Sequence, residues 1–379
     1  AYTMSKTRFG MLTTLFDAML LAAFTLGGGI EWLSQLCAAW FSPNSTLHGV
    51  ALIASLGLVS SLLSLPFSLV STFIIEARFG FNQITPKLFI IDLLKSTLLG
   101  AAIGLPLIAA VLWLMGAMGA MGEQWWLYVW ATWLVFSLTL MWVFPTFIAP
   151  LFNKFVPMED GEMKKRIVAL LNRCGFQSNG LFVMDGSKRS SHGNAYFTGL
   201  GKSKRIVFFD TLLERLSPFE VEAVLAHELG HFKHHHIVKR MVWMFGLMLG
   251  LLWLLGQLKT QLWFYQGLGV STPSTASALL LFFMVLPVFT FLFAPISSML
   301  SRKHEFEADA YAAKTCVEAG GSSQDLVNAL VKLYRDNAAT LTPDPVHSLF
   351  YDSHPPASVR IAALQRLMPK TGTVLPCND

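Results

Sequence analysis

Charge is scarce in this chain of 379 residues: Asp, Glu, Lys and Arg make up 13% of it, about half the share usual in a soluble globular protein. That scarcity excludes an ordinary water-soluble globule. What replaces the charge is apolar, with 54% hydrophobic residues and a mean hydropathy of +0.52. Cysteine is also thin. The four cysteines, Cys37, Cys174, Cys316 and Cys377, form no C-x-x-C pair and no repeated spacing, which argues against a zinc ribbon and a disulfide framework. The formal net charge is only +5, and the basic residues lie beside apolar segments rather than in one block, so no nucleic-acid partner is implied. The opening residues, AYTMSKTRFG, lack the charged, apolar and small-residue succession of a cleavable signal peptide.

In place of charge stand windows of about twenty predominantly apolar residues, long enough to cross a bilayer as helices. Six occur, at residues 9–33, 49–75, 96–119, 124–148, 241–258 and 275–300. Charge returns in two stretches too long to be hairpin loops. The chain therefore divides into spans in 1–149, a soluble segment in 150–240, two more spans in 241–300 and a second soluble segment in 301–379. The predicted fold is mainly α: a multi-pass transmembrane helical bundle bearing a soluble domain. Lys6 and Arg8, Arg78 and Lys87, Lys154, Lys164 and Lys165, and Arg302 and Lys303 fall in alternate connections, whereas 34–48 and 120–123 hold no Lys or Arg and 259–274 only Lys259. By the positive-inside rule both soluble segments face the cytoplasm.

The stretch LSPFEVEAVLAHELGHFKHHH (Leu216–His236) opens with a helix-start signature: Ser217 as N-cap, Pro218 in the first turn and Glu220 closing a capping box. The helix that follows puts His227 and His231, four residues apart, on one face. Two imidazoles one turn apart can reach one zinc ion, and Glu228 beside the first faces the position of a reacting water. A catalytic zinc takes a third protein ligand and keeps one position open. His234 and His235 are poor choices, because a straight helix rises about 10.5 Å over seven residues and ligands along one line cannot surround an ion. His234, His235 and His236 read instead as a polar collar where an unbroken helix meets the headgroups and continues as the fifth span. In SRKHEFEADAYAAK (Ser301–Lys314), Glu305 and Asp309 share a helix face, while His304 and Glu307 point elsewhere. Glu305 can supply the third ligand and Asp309 can accept the spare N–H of a ligating histidine. The alternative is an ordinary solvated helix face.

These motifs resemble a known family. H-E-L-G-H (His227–His231) followed by S-R-x-x-E-F-x-A-D (Ser301–Asp309) is similar to the type 1 CAAX prenyl proteases, integral-membrane zinc endopeptidases. Supporting stretches are RFGFNQIT (Arg78–Thr85), PTFIAPLFNKFVP (Pro145–Pro157), GNAYFTG (Gly193–Gly199) and SHPPASVRIAAL (Ser353–Leu364). The resemblance covers nearly the whole chain. It implies one Zn2+ held by His227, His231 and Glu305, with Asp309 behind them, and Glu228 as general base. His354 and Arg360 match the positions that steady a developing oxyanion or hold a substrate's terminal carboxylate. The family has seven spans, and the six here begin at what would be the second.

GNAYFTGLGKSKRIVFFD (Gly193–Asp210) reads as two short strands joined by a Gly and Lys turn. Asn194, Ala195 and Tyr196 would then form an edge strand that pairs with an extended substrate, unless the hairpin is purely structural. The expected activity is hydrolysis of a peptide bond near the C-terminus of a prenylated or other membrane-associated protein. A quality-control protease of the HtpX type, or a non-catalytic zinc-binding scaffold, are the alternatives. The partners are then a peptide or protein substrate, lipid-modified or not, and membrane lipid. Short loops favour a bacterial inner membrane, with the endoplasmic reticulum membrane as the eukaryotic counterpart.

Overall fold

The computed structural model describes residues 1–116, 122–178, 180–198, 205–318 and 322–367. Cys377 and the Gly and Lys turn expected at 199–204 lie outside them. The chain divides into two compact units, one of Ala1–Leu140 with Met241–Leu292, the other of Met141–Arg240 with Phe293–Asp379.

Six helical stretches among the described residues are long and apolar enough to cross a membrane: Tyr2–Phe24, Thr46–Glu76, Pro86–Gly116, Trp125–Leu151, His236–Leu258 and Thr275–Glu318. Helices suit this environment because each satisfies its backbone N–H and C=O groups internally, where no water is available to do so. Large apolar side chains turn outward in the first unit; Leu98 is 70% and Val242 67% exposed, a surface that lipid rather than water covers. A smaller interior is filled by Leu52, Met115, Trp125, Leu255 and Leu281. Close approach of its helices depends on small residues. A Cβ at Gly49 would meet Leu112 Cδ1 at 2.8 Å and Ala276 Cβ at 3.0 Å.

The first apolar window needs correction. Its helix starts at Tyr2 and ends at Phe24, and residues 25–33 belong to a turn and a separate helix, Gly29–Ala38. Hydropathy runs on through Gly27, Gly28 and Gly29, but Gly28 has φ 75°, a left-handed conformation in which a helix cannot continue.

The second unit is built on a four-stranded sheet of order β1-β2-β4-β3, with β1 Phe155–Pro157, β2 Leu181–Met184, β3 Ala195–Thr198 and β4 Arg205–Phe209. Strand β2 runs parallel to β4, pairing Leu181 with Ile206, whereas β3 is antiparallel to β4 and pairs Ala195 with Phe208. Ile206 and Phe208 enter a core with Ile167 and Leu170 of helix Glu162–Arg173, Val221, Leu225 and Leu229 of the motif helix Pro218–Lys233, and Ala312 and Cys316 of the long helix Ala294–Glu318. Helices Ser323–Asp336 and Ala357–Leu367 add Leu326, Leu330 and Leu364. Each fully buried aliphatic side chain of this kind contributes about 1.5–3 kcal/mol.

Candidate functional site

The motif helix begins where its sequence says it should. Ser217 Oγ accepts from Glu220 N–H at 3.4 Å, and Glu220 Oε2 accepts from Ser217 N–H at 2.7 Å. Lys332 Nζ holds the same Glu220 oxygen at 2.7 Å, tying the helix start to Ser323–Asp336. Further along, the motif helix lies against the long helix at Gly230, with Ala308 and Ala312 fully buried there. Larger residues at these positions would hold the backbones apart.

This close approach brings three potential ligands together. His227 Nε2 and His231 Nε2 are 3.2 Å apart, His227 Nε2 is 3.5 Å from Glu305 Oε2, and His231 Nε2 is 3.4 Å from Glu305 Oε1. A tetrahedral ion with bonds of about 2.1 Å sets its ligand atoms about 3.4 Å apart, so the triangle fits one. Glu305 Oε2 is buried and, among the described residues, has no hydrogen-bond partner, a condition a metal relieves. The donor set of two imidazoles and a carboxylate suits zinc chemistry.

The surrounding groups fix these donors. His227 Nδ1 lies 2.8 Å from Asp309 Oδ1, which leaves Nε2 with its lone pair toward the triangle. Arg360 grips Asp309 with two bonds, Nε to Oδ2 at 2.8 Å and Nη2 to Oδ1 at 2.6 Å, and its Nη1 is 3.4 Å from Glu305 Oε2. Burial works against a charged His227, yet the Asp309 and Glu305 carboxylates outweigh it and lift the imidazole to about 9. The two carboxylates thus favour positive charge at the His227 ring, even with Arg360 beside them. Glu228 is half-buried beside them. Burial raises its carboxyl, and the neighbouring His227 and His231 offset this only in part, so the group moves toward the range of a useful general base.

His354 stands at the solvent side, 59% exposed, with Nε2 3.5 Å from Glu305 Oε1 and Nδ1 2.9 Å from Ser353 Oγ. Its loop is pinned from behind. Tyr334 Oη donates to Pro355 O at 3.2 Å, and Arg302 Nη1 donates to Ser348 O at 2.7 Å and Asp352 O at 3.0 Å. Neither Tyr334 nor Arg302 carried a signal for this role in sequence, because both act through carbonyls remote along the chain. Arg360, by contrast, is 5% exposed and engaged with two carboxylates. The guanidinium read as an anion receptor is thus turned toward Asp309 and Glu305, behind His227.

Ala195 and Tyr196 lie in β3 at the end of the sheet order, and Asn194 precedes it with its Oδ1 accepting from Ala195 N–H at 2.8 Å. Phe197 of this strand packs against Phe232 of the motif helix at a ring distance of 4.9 Å, so the strand runs beside the ligand-bearing helix.

The collar of three histidines is a second correction. The motif helix stops at Lys233, His235 is left-handed at φ 56°, and a new helix starts at His236, so no single rod joins the motif to the fifth span. His236 is 4% exposed and turned inward, with Nδ1 3.0 Å from His231 Nδ1 and Nε2 2.8 Å from Glu307 Oε2. It orients His231 as Asp309 orients His227. Sequence reading missed this because a histidine run beside an apolar segment looks interfacial, and Glu307 is 71 residues away.

Known proteins match the chain over nearly its whole length. Residues 157–368 match the model of peptidase family M48, and residues 1–154 match a domain described as the CAAX prenyl protease N-terminal domain, five membrane helices. A CAAX prenyl protease 1 homolog of Arabidopsis thaliana is 34% identical over 373 residues, covering 96% of this chain and 86% of the relative. CAAX prenyl protease 1 of Saccharomyces cerevisiae is 38% identical over 361 residues, covering 90% and 77%. The crystal structure of S. mikatae Ste24p superposes with a TM-score of 0.88 at 34% identity, covering 96% of this chain and 87% of that one. The chain belongs to peptidase family M48 and is a multi-pass membrane metalloendopeptidase.

Proposed function

We propose that this protein is a zinc endopeptidase that cuts near the C-terminus of prenylated or otherwise membrane-associated polypeptides, with its peptidase unit facing the cytoplasm. The observation that carries the reading is the triangle of His227, His231 and Glu305 donors, 3.2–3.5 Å on a side, with Glu228 and His354 beside it. Zinc, when bound, supplies Lewis acidity toward the scissile carbonyl and acidifies water.

The remaining steps belong to the chain. Glu228 takes the proton from the attacking water and returns it to the leaving amine. His354 donates to the carbonyl oxygen as negative charge develops there. Asp309 and Arg360 hold His227 in one tautomer and orientation, and His236 does the same for His231. Strand β3 offers backbone groups to an extended peptide, and Asn194, with Oδ1 committed to Ala195, has its side-chain amide N–H groups to donate. The names borne by the relatives, prenyl proteases from a plant and a yeast, support a C-terminally prenylated substrate over damaged membrane proteins.

The test pairs Glu228→Gln with a substrate comparison. The variant is expected to keep its zinc and to lose at least about 10²–10⁴-fold in kcat/KM on a farnesylated C-terminal peptide. Full activity in Glu228→Gln refutes the mechanism. Cleavage of an unfolded membrane protein in preference to the farnesylated peptide refutes the substrate class.

A further inference from the structure

Beside the proposed catalytic triangle lies a second group of metal-binding side chains that the mechanism uses only in part. His236 opens its helix immediately after the left-handed His235, and it faces His304 and Glu307 on the long helix. One ligand atom from each of the three lies within 4.8 Å of the others. The rings of His236 and His304 stack at 4.0 Å, and Glu307 Oε2 is 2.8 Å from His236 Nε2. Lys303, 3.9 Å from Glu307 Oε1 and 72% exposed, is a loose competitor for that carboxylate. As they stand, the nearly parallel rings do not aim their in-plane lone pairs at one point, so the half-buried His304 would have to turn to meet an ion held by His236 Nε2 and Glu307. Two imidazoles and one carboxylate select Zn2+, Co2+ or Ni2+ over Mg2+ or Ca2+.

We propose that His236, His304 and Glu307 form a second, inhibitory transition-metal site, filled when the metal is in excess. The inhibition follows from how the two sites share a hydrogen bond. With His231 Nε2 turned to the first site, its Nδ1 keeps the proton and donates to His236 Nδ1 at 3.0 Å. Neutral His236 then carries its own proton on Nε2 and donates to Glu307. A metal at His236 Nε2 needs that lone pair, so the single proton of the ring must sit on Nδ1. Two N–H groups then face each other across 3.0 Å, and His231 loses the acceptor that orients it. The two ions oppose each other, and by linkage each weakens the other by the same factor, about 5–150-fold for couplings of ordinary size.

The experiment uses the full chain in detergent, stripped with chelator and titrated with Co2+ or Zn2+. Wild type is expected to take up two ions per chain in excess metal, the second adding its own d–d absorption with Co2+. His304→Ala and, as an independent variant, Glu307→Gln are expected to take up one. Glu228→Gln is expected to keep both, so stoichiometry is read apart from peptide hydrolysis. In wild type, activity falls between one equivalent of zinc and excess zinc, and that ratio rises toward one in His304→Ala. A single ion per chain in wild type at excess metal overturns the proposal, as does a second ion that persists in both variants. Undiminished inhibition by excess zinc in both variants overturns the coupling.

Discussion

Gly230 is where the motif helix touches the long helix, and Gly230→Ala is the smallest change that forces them apart. A Cβ there would lie 2.9 Å from Ala308 Cα, 3.1 Å from Ala308 O and 3.2 Å from Tyr311 Cβ. Two of these three atoms are backbone and cannot swing aside as a side-chain tip would. Restoring ordinary contact of 3.4 Å to the nearest needs a separation of about 0.5 Å. His231 is the next residue on one helix and Glu305 lies one turn before Ala308 on the other, so the 3.4 Å edge between them opens toward about 4 Å. Overpacking of this kind costs about 1–3 kcal/mol, and alanine recovers about 0.5–1 kcal/mol through its better helix propensity. A net loss of about 1 kcal/mol of stability is expected in metal-stripped protein. The loss in zinc affinity is larger, about 10–100-fold, because ligand geometry tolerates only about 0.5 Å. Thermal unfolding with and without zinc, together with zinc competition against a chelating dye, separates the two effects. Wild-type zinc affinity and an unchanged midpoint in Gly230→Ala would refute the argument that this glycine sets the spacing of the ligands.

Further outcomes follow from the charges around the site. Arg360→Lys keeps the charge but loses the two-pronged grip on Asp309, and zinc affinity is expected to fall about 10–100-fold by dye competition, with KM for peptide little changed; a rise in KM alone would restore Arg360 as a substrate-binding group. His227, lifted to about 9, must shed its proton to bind metal, so apparent zinc affinity is expected to weaken by up to about tenfold per pH unit on descending below 9, as read by equilibrium dialysis. At Glu220, burial raises the carboxyl but Lys332 and Ser217 outweigh it, and the net direction is down. Its contribution of about 1 kcal/mol is present above the ordinary Glu pKa of about 4.3 and is lost as pH falls through the lower folded value. Denaturant unfolding of Glu220→Gln should therefore differ from wild type at pH 7 and converge with it on acidification.

The parts of this fold that were legible in sequence are those governed by local rules. The capping box at Ser217 and Glu220 depends on residues three apart, and the spacing of His227 and His231 on helix periodicity alone. Membrane spans are legible because hydropathy is local too, although averaging carried the first window across Gly27–Gly29, where backbone conformation ends the helix. The break at His234 and His235 was hidden for a different reason. Neither glycine nor proline marks it, and a non-glycine residue with positive φ persists only when its surroundings impose it, here through His236 reaching Glu307 on another helix. The orientation of Arg360 was equally out of reach: sequence gives a cation after His-Pro-Pro, but only packing shows it turned inward to Asp309 and Glu305.

That knot of Arg360, Asp309 and Glu305 has a consequence for which ion the protein can host. With Glu228 ionised, the four side chains together carry two negative charges, which a divalent ion cancels and a monovalent or trivalent one does not. In the mechanism proposed above, proton transfer to Glu228 moves one negative charge from that carboxylate to the carbonyl oxygen without changing the total. Electroneutrality is kept from resting enzyme through bond cleavage, which allows the chemistry to run in a buried setting where any net charge would be expensive to solvate.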